Sequence, residues 1–569
     1  MSSQAYIFNP TERTSAAAGD GFSAPRLTTT DRNALSLGVN GKGMMVYDTT
    51  LTTLCIWNGT AWEFVTDNSN GFVNVKDFGA KGDGVTDDTA AIQAAINSLT
   101  AYQTLICAGN FKITTSLSIT NKSDIRITGG GSIFFSGAPS GAFIFQLVGT
   151  VSSLEIDHLT LIGDNDASYF QIAIGCFSGQ TISNTRFHDL NISNINVGIS
   201  LNASLGGTWI KGVCSNNTLT NLVGVSAGQG YGIHLAGATN IRVYGNVVDN
   251  ASRHGIYQGS GTNCNNVIEA NQIVNHRSAV FDATYRTAIS CTRSTGVTIA
   301  NNKVMNGYDG GLEVSHENAT ALTGGDIIVT GNSFTGRLNN VPYILIGQQA
   351  VPTVAVVSNV EIIGNLFNSA AIGGIFSCEI YIANGLQINI QHNTIRRTGV
   401  GASLAQCIEV GDSTFATSDT HIGDITIRNN AASASAVVAG TRFLYISTQL
   451  CTGSSTYTIK DNTYKGWETE FYFQNNPTNV NSKLKFSVST VYDFPNIPGN
   501  TGAYTGVSVP GVKATSSIVG RPEWAFFTGN VVFAFFAQSL NSAEITAANV
   551  SVLAENPGSQ TFILFVEDF

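Results

Sequence analysis

Charge is scarce in this sequence. Asp, Glu, Lys and Arg make up 12% of its 569 residues, about half of the ~25% usual in soluble proteins. With 38 acids against 28 bases the net charge is −10. No basic excess exists to displace phosphate counterions, which excludes a general nucleic-acid binder. Cysteine is sparse too: nine are scattered singly with no C-x-x-C pair, so neither a zinc site nor an ordered disulfide framework is expected. No metal and no cofactor are expected. Such cysteines suit small core residues of a protein made in a reducing compartment. No apolar run reaches the ~18 residues of a membrane span, and "MSSQAYIFNPTERTSAAAGDG" at the start lacks the apolar segment of a secretion signal. Membrane insertion and signal-directed secretion are therefore not expected. Prolines number only 11, while glycines number 60. That glycine content, together with abundant Asn, Ser, Thr, Val and Ile, suggests strands and tight turns.

One template recurs along the chain. "IRVYGNVV", "VIEANQIV", "VTIANNKV", "IIVTGNSF", "VEIIGNLF", "INIQHNTI", "ITIRNNAA" and "YTIKDNTY" share the pattern apolar-x-x-Asn-x-apolar. Their asparagines are Asn246, Asn271, Asn302, Asn332, Asn365, Asn393, Asn430 and Asn462, with Asn217 in an earlier copy. A unit this short cannot bury its own apolar face, so successive units must stack. A second column runs in step, centred on Ile199, Ile233, Ile256, Ile289, Leu312, Ile408 and Leu444. Each repeat thus holds at least two strands of period-2 alternation. The fold class is all-β, a right-handed parallel β-helix. Asparagine suits its corners because it tolerates left-handed backbone angles and can hydrogen-bond the asparagine above.

An open β-helix end exposes apolar core and strand edges, so the first coil needs a cap. The stretch "NVKDFGAKGDGVTDDTAAIQAAINSLT" supplies one, a helix from about Asp88 to Leu99. Thr86 or Asp87 caps its start, and Ala91, Ile92, Ala95, Ile96 and Leu99 form one apolar stripe. Asp83, Asp87 and Asp88 look superficially like a metal cluster, but acids at the positive end of a helix dipole need no chemistry to explain them.

"DFGAKGDGVTDDTAAIQAAI" resembles the motif that opens the β-helix of pectate-lyase-like proteins, a superfamily of polygalacturonases, pectate lyases and bacteriophage tailspikes. Residues 20 to 65, with short strands "MMVYD", "TLCIWN" and "AWEFV", resemble the N-terminal module of phage tail fibres and tailspikes. The resemblance implies a homotrimer attached to a virion, through phage tail or baseplate proteins at its N-terminus, that cuts a bacterial capsular or other surface polysaccharide. The same fold hosts hydrolases, lyases and epimerases, and a noncatalytic adhesin also fits. The expected domains are 1–70 for virion attachment, 71–485 for the glycan-binding and catalytic β-helix, and 486–569 for a β-sandwich-like trimerisation or carbohydrate-binding unit. In the last, Trp524, Phe526, Phe527, Phe533, Phe535 and Phe536 read as core and trimer interface, or alternatively as a sugar-stacking platform.

The outward column beside the second apolar column reads Ser200, His234, Tyr257, Ser290, Glu313, Glu409 and Tyr445. Glycines at 198, 232, 255 and 311 are expected to keep that face shallow. Polar residues concentrate between Asp249 and Glu317. From this window Glu313, Asp282 and Asp309 are the candidate catalytic acids, because glycoside hydrolysis needs two carboxylates flanking the bond. His234, Arg253, His254, Tyr257, Tyr285, Arg286, His316 and Glu317 are the candidate substrate-binding residues. A lyase would instead use a base such as Arg286, His254 or Tyr257 beside a uronic acid.

Overall fold

The structure is a computed structural model. It describes residues 24–51, 53–65, 71–137, 141–164, 170–177, 179–203, 207–224, 228–261, 263–276, 287–306, 310–315, 325–336, 342–347, 357–370, 378–398, 406–411, 422–435, 441–447, 456–465, 467, 469–474 and, as strand backbone, 483–494, 502–508, 517–522, 531–539, 542–549 and 558–567.

From Phe72 onward the chain winds as a parallel β-helix, and a complete coil carries three strands. One such coil runs Thr239–Tyr244, Val247–Ala251 and His254–Gly261, and these belong to what we call sheets I, II and III. Sheet II alone stacks 14 strands. Pairing between coils is parallel and residue-for-residue: Ile199, Ile233, Ile256, Ile289, Leu312, Ile344, Ile380, Ile408 and Leu444 follow one another in sheet III. All are buried in one continuous core. Two of these coils, at Ile344 and Ile380, escape the sequence pattern. Their outward neighbours Leu345 and Tyr381 are themselves large and apolar and mask the alternation.

The asparagine column forms a buried ladder. Each Nδ2 donates to the next Oδ1 at 2.9–3.0 Å, from Asn217 through Asn246, Asn271, Asn302, Asn332, Asn365, Asn393 and Asn430 to Asn462. The left-handed backbone does not belong to these asparagines. It belongs to the residue before each one, including Asn216, Gly245, Ala270, Asn301, Gly331, Gly364, His392, Asn429 and Asp461. Turning the chain and tying the coils together thus fall to adjacent residues. A second left-handed column, with φ from 48° to 71°, opens sheet I at Asp124, Ser153, Asn184, Lys211, Asn240, Asn265, Gly296, Asp326, Asn359, Gln387 and Asp424.

The predicted cap is present as helix Thr89–Ser98, with Ile92, Ala95, Ile96 and Leu99 buried. The three acids are spent on backbone. Asp83 accepts from Val85 and Thr86 amides, Asp87 from the Thr89 amide, and Asp88 from Lys81 and Gly82 amides at 2.6 and 3.0 Å. Asp87 therefore serves the helix start, whereas Thr86 hydrogen-bonds Asp83 instead.

The glycines expected to flatten the outer face do something else. A Cβ at Gly232 would stand 2.7 Å from Val248 Cγ1, and one at Gly311 would stand 2.4 Å from Phe334 Cδ1. They open space on the core side for sheet II side chains. Higher in the stack the same column holds Tyr343, Glu379, Cys407 and Phe443, all buried. Glu379 is tolerated there because the Arg397 guanidinium, reaching in from sheet II, pairs with it at 2.6 Å, and Ser369 donates to it at 2.8 Å.

Residues 24–65 form a separate four-stranded sheet of Arg26–Leu27, Met45–Asp48, Thr53–Trp57 and Trp62–Val65. The buried Arg32–Asp48 pair, at 3.1 Å, ties its short helix Thr29–Asn33 to it. At the other end the ladder changes from parallel to antiparallel at Lys485, within the continuous strand Lys483–Phe494. That strand joins Gly558–Glu567 and Ser517–Pro522, while Gly502–Ser508, Ser542–Asn549 and Val531–Ser539 make a second antiparallel sheet. Trp524, Phe526 and Phe527 lie outside the described residues.

Candidate functional site

The long connections of the β-helix border sheet III. Turns from sheet I to sheet II are brief, as from Tyr244 to Val247, Glu269 to Gln272 and Ile363 to Leu366. Chain entering sheet III takes longer routes, as from Val274 to Ile289 and Thr335 to Ile344, and chain leaving it does too, as from Ser315 to Gly325 and Ile346 to Ser358. Sheet III is therefore the face at which the long connections begin and end, and it is the floor of the candidate site, since functional residues usually sit on loops held by a rigid scaffold.

Register fixes the order of side chains on that floor. Ser200, His234, Tyr257, Ser290, Glu313, Leu345, Tyr381, Glu409 and Tyr445 occupy consecutive coils. His234, Tyr257 and Glu313 are half-buried, whereas Leu345, Tyr381, Glu409 and Tyr445 are covered. The open stretch of the column runs from His234 to Glu313. Glu409 stands three coils beyond Glu313, about 14 Å at ~4.8 Å per coil, too far to act with it on one bond.

Rings and a guanidinium meet at the lower end. Tyr231 lies 5.7 Å from His254 and 5.2 Å from both His234 and Tyr257, centroid to centroid, and the Arg253 guanidinium lies 5.4 Å from the Tyr231 ring. His254 Nδ1 donates to the Thr287 carbonyl at 2.7 Å, which fixes the ring. The Tyr257 hydroxyl reaches Thr292 Oγ1 at 2.9 Å in the next coil. Its ring crosses Gly259, where a Cβ would come within 2.5 Å of Cε1. Tyr231 is missed by strict alternation. It stands two residues before the inward Ile233, yet it joins Phe143, Ile172 and Val197 in a cluster separate from the core. Its only sequence signal is the aromatic in "GYGIH".

Burial, and secondarily the charge of Arg253, push His234 down to about 4. The imidazole is neutral at physiological pH and meets Ser200 Oγ at 3.2 Å. Because its folded value lies below its ordinary ~6.5, the unfolded chain binds the extra proton between those two values. Stability from the neutral ring is full above about pH 6.5 and falls as pH drops toward 4. His234→Gln is therefore expected to flatten the pH dependence of Tm in that window; an unchanged slope would refute the assignment.

Glu313 stands two coils above Tyr257. Ser315 donates to its Oε1 at 2.6 Å, a charge-assisted bond that orients the carboxylate. Ser290 lies directly between Tyr257 and Glu313 in register. It is fully buried, and its Oγ has no hydrogen-bond partner among the described residues. The structure thus brings together His234, Arg253, His254 and Tyr257 and places Glu313 on the same floor. Asp282, Tyr285, Arg286, Asp309, His316 and Glu317 lie outside the described residues.

Among the described residues, Glu155, Asp157 and His188 on the outer face of sheet I have ligand atoms close enough to hold a metal. The position is already filled by a cation. Arg126 donates to Asp157 at 2.7 and 3.0 Å, and Thr128 and His158 also reach it. Burial raises the Asp157 carboxyl, but the hydrogen bonds from Arg126, Thr128 and His158 outweigh it and hold the group well below the usual range. This is an ion-pair network binding consecutive coils.

Residues 72–313 match the family described as rhamnogalacturonase A/epimerase, pectate lyase-like, and residues 11–76 match a phage tail like trimerisation region. Two mannuronan C5-epimerases of Azotobacter vinelandii, AlgE5 and AlgE2, are 41% identical over 78 residues and 46% identical over 66 residues. These segments cover 13% and 10% of this chain and only 8% and 7% of theirs. Among solved structures, tailspike variants of E. coli bacteriophage HK620 in complex with a pentasaccharide superpose with TM-scores of 0.55 and 0.56 at 13% and 14% identity, over 90% of this chain and 96% of theirs. The chain thus carries a pectate-lyase-like segment and a phage tail like trimerisation region, and it shares the parallel β-helix fold of those tailspike structures.

Proposed function

We propose that this protein is a homotrimeric virion component that binds a bacterial capsular or other surface polysaccharide on the sheet III floor and cleaves it by glycosidic hydrolysis. The observation that carries the reading is the stretch from His234 to Glu313, where the half-buried His234 and Tyr257 rings, backed by buried Tyr231, His254 and Arg253, share one floor with the Glu313 carboxylate two coils above. Such a mixture suits a chain of pyranose rings, whose apolar faces pack on aromatics and whose hydroxyls need donors and acceptors. In support, the HK620 tailspike variants, of similar fold, hold a pentasaccharide.

Glu313 is one of the two acids in this reading. Its partner must lie within about two coils, since the carboxylates of glycoside hydrolases stand ~5–5.5 Å apart for retention or ~6.5–9.5 Å for inversion. Asp309, four residues before Glu313, and Asp282, on the connection before Ile289, are the candidates. The N-terminal region joins the protein to phage tail or baseplate proteins. No cofactor or metal is required.

A second reading, β-elimination or C5 epimerisation of a uronate, is favoured by the matches to the mannuronan epimerases and by neutral His234 beside Arg253. A neutral base would take the C5 proton while the guanidinium neutralises the carboxylate. Incubating the purified protein with host capsule separates these readings. New reducing ends without ultraviolet absorbance are expected. Absorbance from an unsaturated uronate would establish a lyase; where no new ends form, proton NMR of the recovered polysaccharide showing uronate inverted at C5 would establish an epimerase, and binding with the polysaccharide unchanged would leave an adhesin.

A further inference from the structure

Sheets I and II turn into one another through brief corners, so their outer faces are flat and meet along the edge marked by the asparagine ladder. On sheet I, Val267, Ile328 and Ile363 face outward within four consecutive coils, and Ile328 is 42% exposed. On sheet II the same coils present Val274, Met305 and Leu366. Charged groups on this part of sheet I are paired: Arg242 with Glu269 at the lower border of the belt, Glu361 with Asn389 inside it, and Arg126 with Asp157 farther below. Two apolar patches therefore lie at one height on two adjoining flat faces.

A three-fold axis parallel to the coil stack carries a residue around the axis without changing its height. A patch on one face can then meet only a patch at the same height on the next copy, and such a head-to-tail contact closes after three copies. Sheet I is also continuous with the N-terminal trimerisation region. Phe72, 56% exposed and inside the matched segment 11–76, belongs to the same outward column as Ile328, linked through Thr104, Arg126, Glu155, Arg186, Val213, Arg242, Val267 and Thr298.

Resting on the homotrimer reading above, we propose that the sheet I–sheet II edge faces the three-fold axis, with sheet I of one copy packed on sheet II of the next. Its consequence for function is that the three sheet III floors face away from the axis, and each stretch from His234 to Glu313 is completed by a single chain.

The test uses the full chain. The eight described cysteines are buried, and Cys451, outside the described residues, is changed to serine in every variant, so thiols introduced on the surface react selectively. Ile328→Cys combined with Thr335→Cys, on sheets I and II of one coil, is treated with a short bismaleimide and run under denaturing conditions. Covalent dimers and trimers are expected from the double variant, and neither single substitution should give more than about a tenth of that yield. Phe177→Cys, an exposed position after a sheet III strand, should give none. Crosslinking through Phe177 and not through the double variant, in a protein that sediments as a trimer, overturns the assignment of the face. Sedimentation of the unmodified protein as a monomer overturns the trimer reading itself, and this proposal with it. As a second readout, Ile328→Glu should raise the concentration at which the trimer dissociates at least tenfold; an unchanged value counts against the interface.

Discussion

Replacing Glu313 with glutamine is expected to lower depolymerisation by at least about two orders of magnitude, with trimer stability and glycan binding nearly unchanged. General acid–base assistance typically contributes ~10²- to 10⁴-fold, and an amide of the same shape can neither hold nor release the proton. The structure explains why the change should be local. Glu313 is half-buried at an outward position, its Cα pairs with Ser290 and Leu345 in a regular ladder, and Ser315 can still donate to the amide oxygen. The measurement is the rate of appearance of reducing ends, together with affinity for the intact polysaccharide. A loss confined to kcat marks an interaction made only in the transition state, whereas a rise in KM alone would make Glu313 a binding residue. Asp282→Asn and Asp309→Asn then identify the partner, because the true pair should each cost a comparable factor. Near-ordinary turnover in Glu313→Gln would move the search to Asp249, Glu269 or Glu409.

How much of this was legible in the sequence depended on whether a residue's role is local. The coil period, the inward isoleucines and the outward column could be read because period-2 alternation is a property of one strand, and the ladder asparagines because they repeat at one site per coil. The cap helix was legible from its own stripe, Ile92, Ala95, Ile96 and Leu99. What could not be read needed the neighbouring coil. Gly232 and Gly311 looked like a shallow outer floor, yet the atoms their side chains would strike belong to Val248 and Phe334 of sheet II. Glu379 and Arg397 are 18 residues apart and meet because Arg397 lies on the sheet II strand of the coil that follows the one carrying Glu379. Tyr231 was hidden because, in phase with the inward Ile233, it nonetheless packs with Phe143, Ile172 and Val197 of neighbouring coils outside the main core. For the site, His234, Arg253, His254 and Tyr257 were found because polar residues are rare here and cluster when they have work. Their mutual ring contacts follow from stacking register, which the spacing of the repeats only partly fixes.

Asn332→Ala is expected to be the most damaging single substitution for stability, about 3–5 kcal/mol. The side chain is 1% exposed and sits in the middle of the ladder. Its Nδ2 donates to Asn365 Oδ1 at 3.0 Å and to the Ile299 carbonyl at 2.9 Å, while its Oδ1 accepts from the Asn302 amide and Asn302 Nδ2 at 2.9 and 3.0 Å. Alanine removes all four bonds at once; the Ile299 carbonyl and the Asn302 amide and Nδ2 of the coil below lose a partner, each worth ~1–3 kcal/mol, while Asn365 Oδ1 of the coil above keeps the Asn332 backbone amide. Partial relaxation and water entry keep the total below the sum. Asn332→Asp should be as harmful, since a carboxylate cannot donate to the Ile299 carbonyl and would put a charge in the core. Asn306 is the control. It belongs to an outer ladder, donating to Asn275 Oδ1 at 3.2 Å from an exposed position with φ 54°, so Asn306→Gly should cost under ~1 kcal/mol because glycine accepts that backbone angle. Denaturant unfolding of the two variants beside the parent checks the contrast. If Asn332→Ala and Asn306→Gly shift the midpoint equally, the inner ladder is not what holds the coils in register.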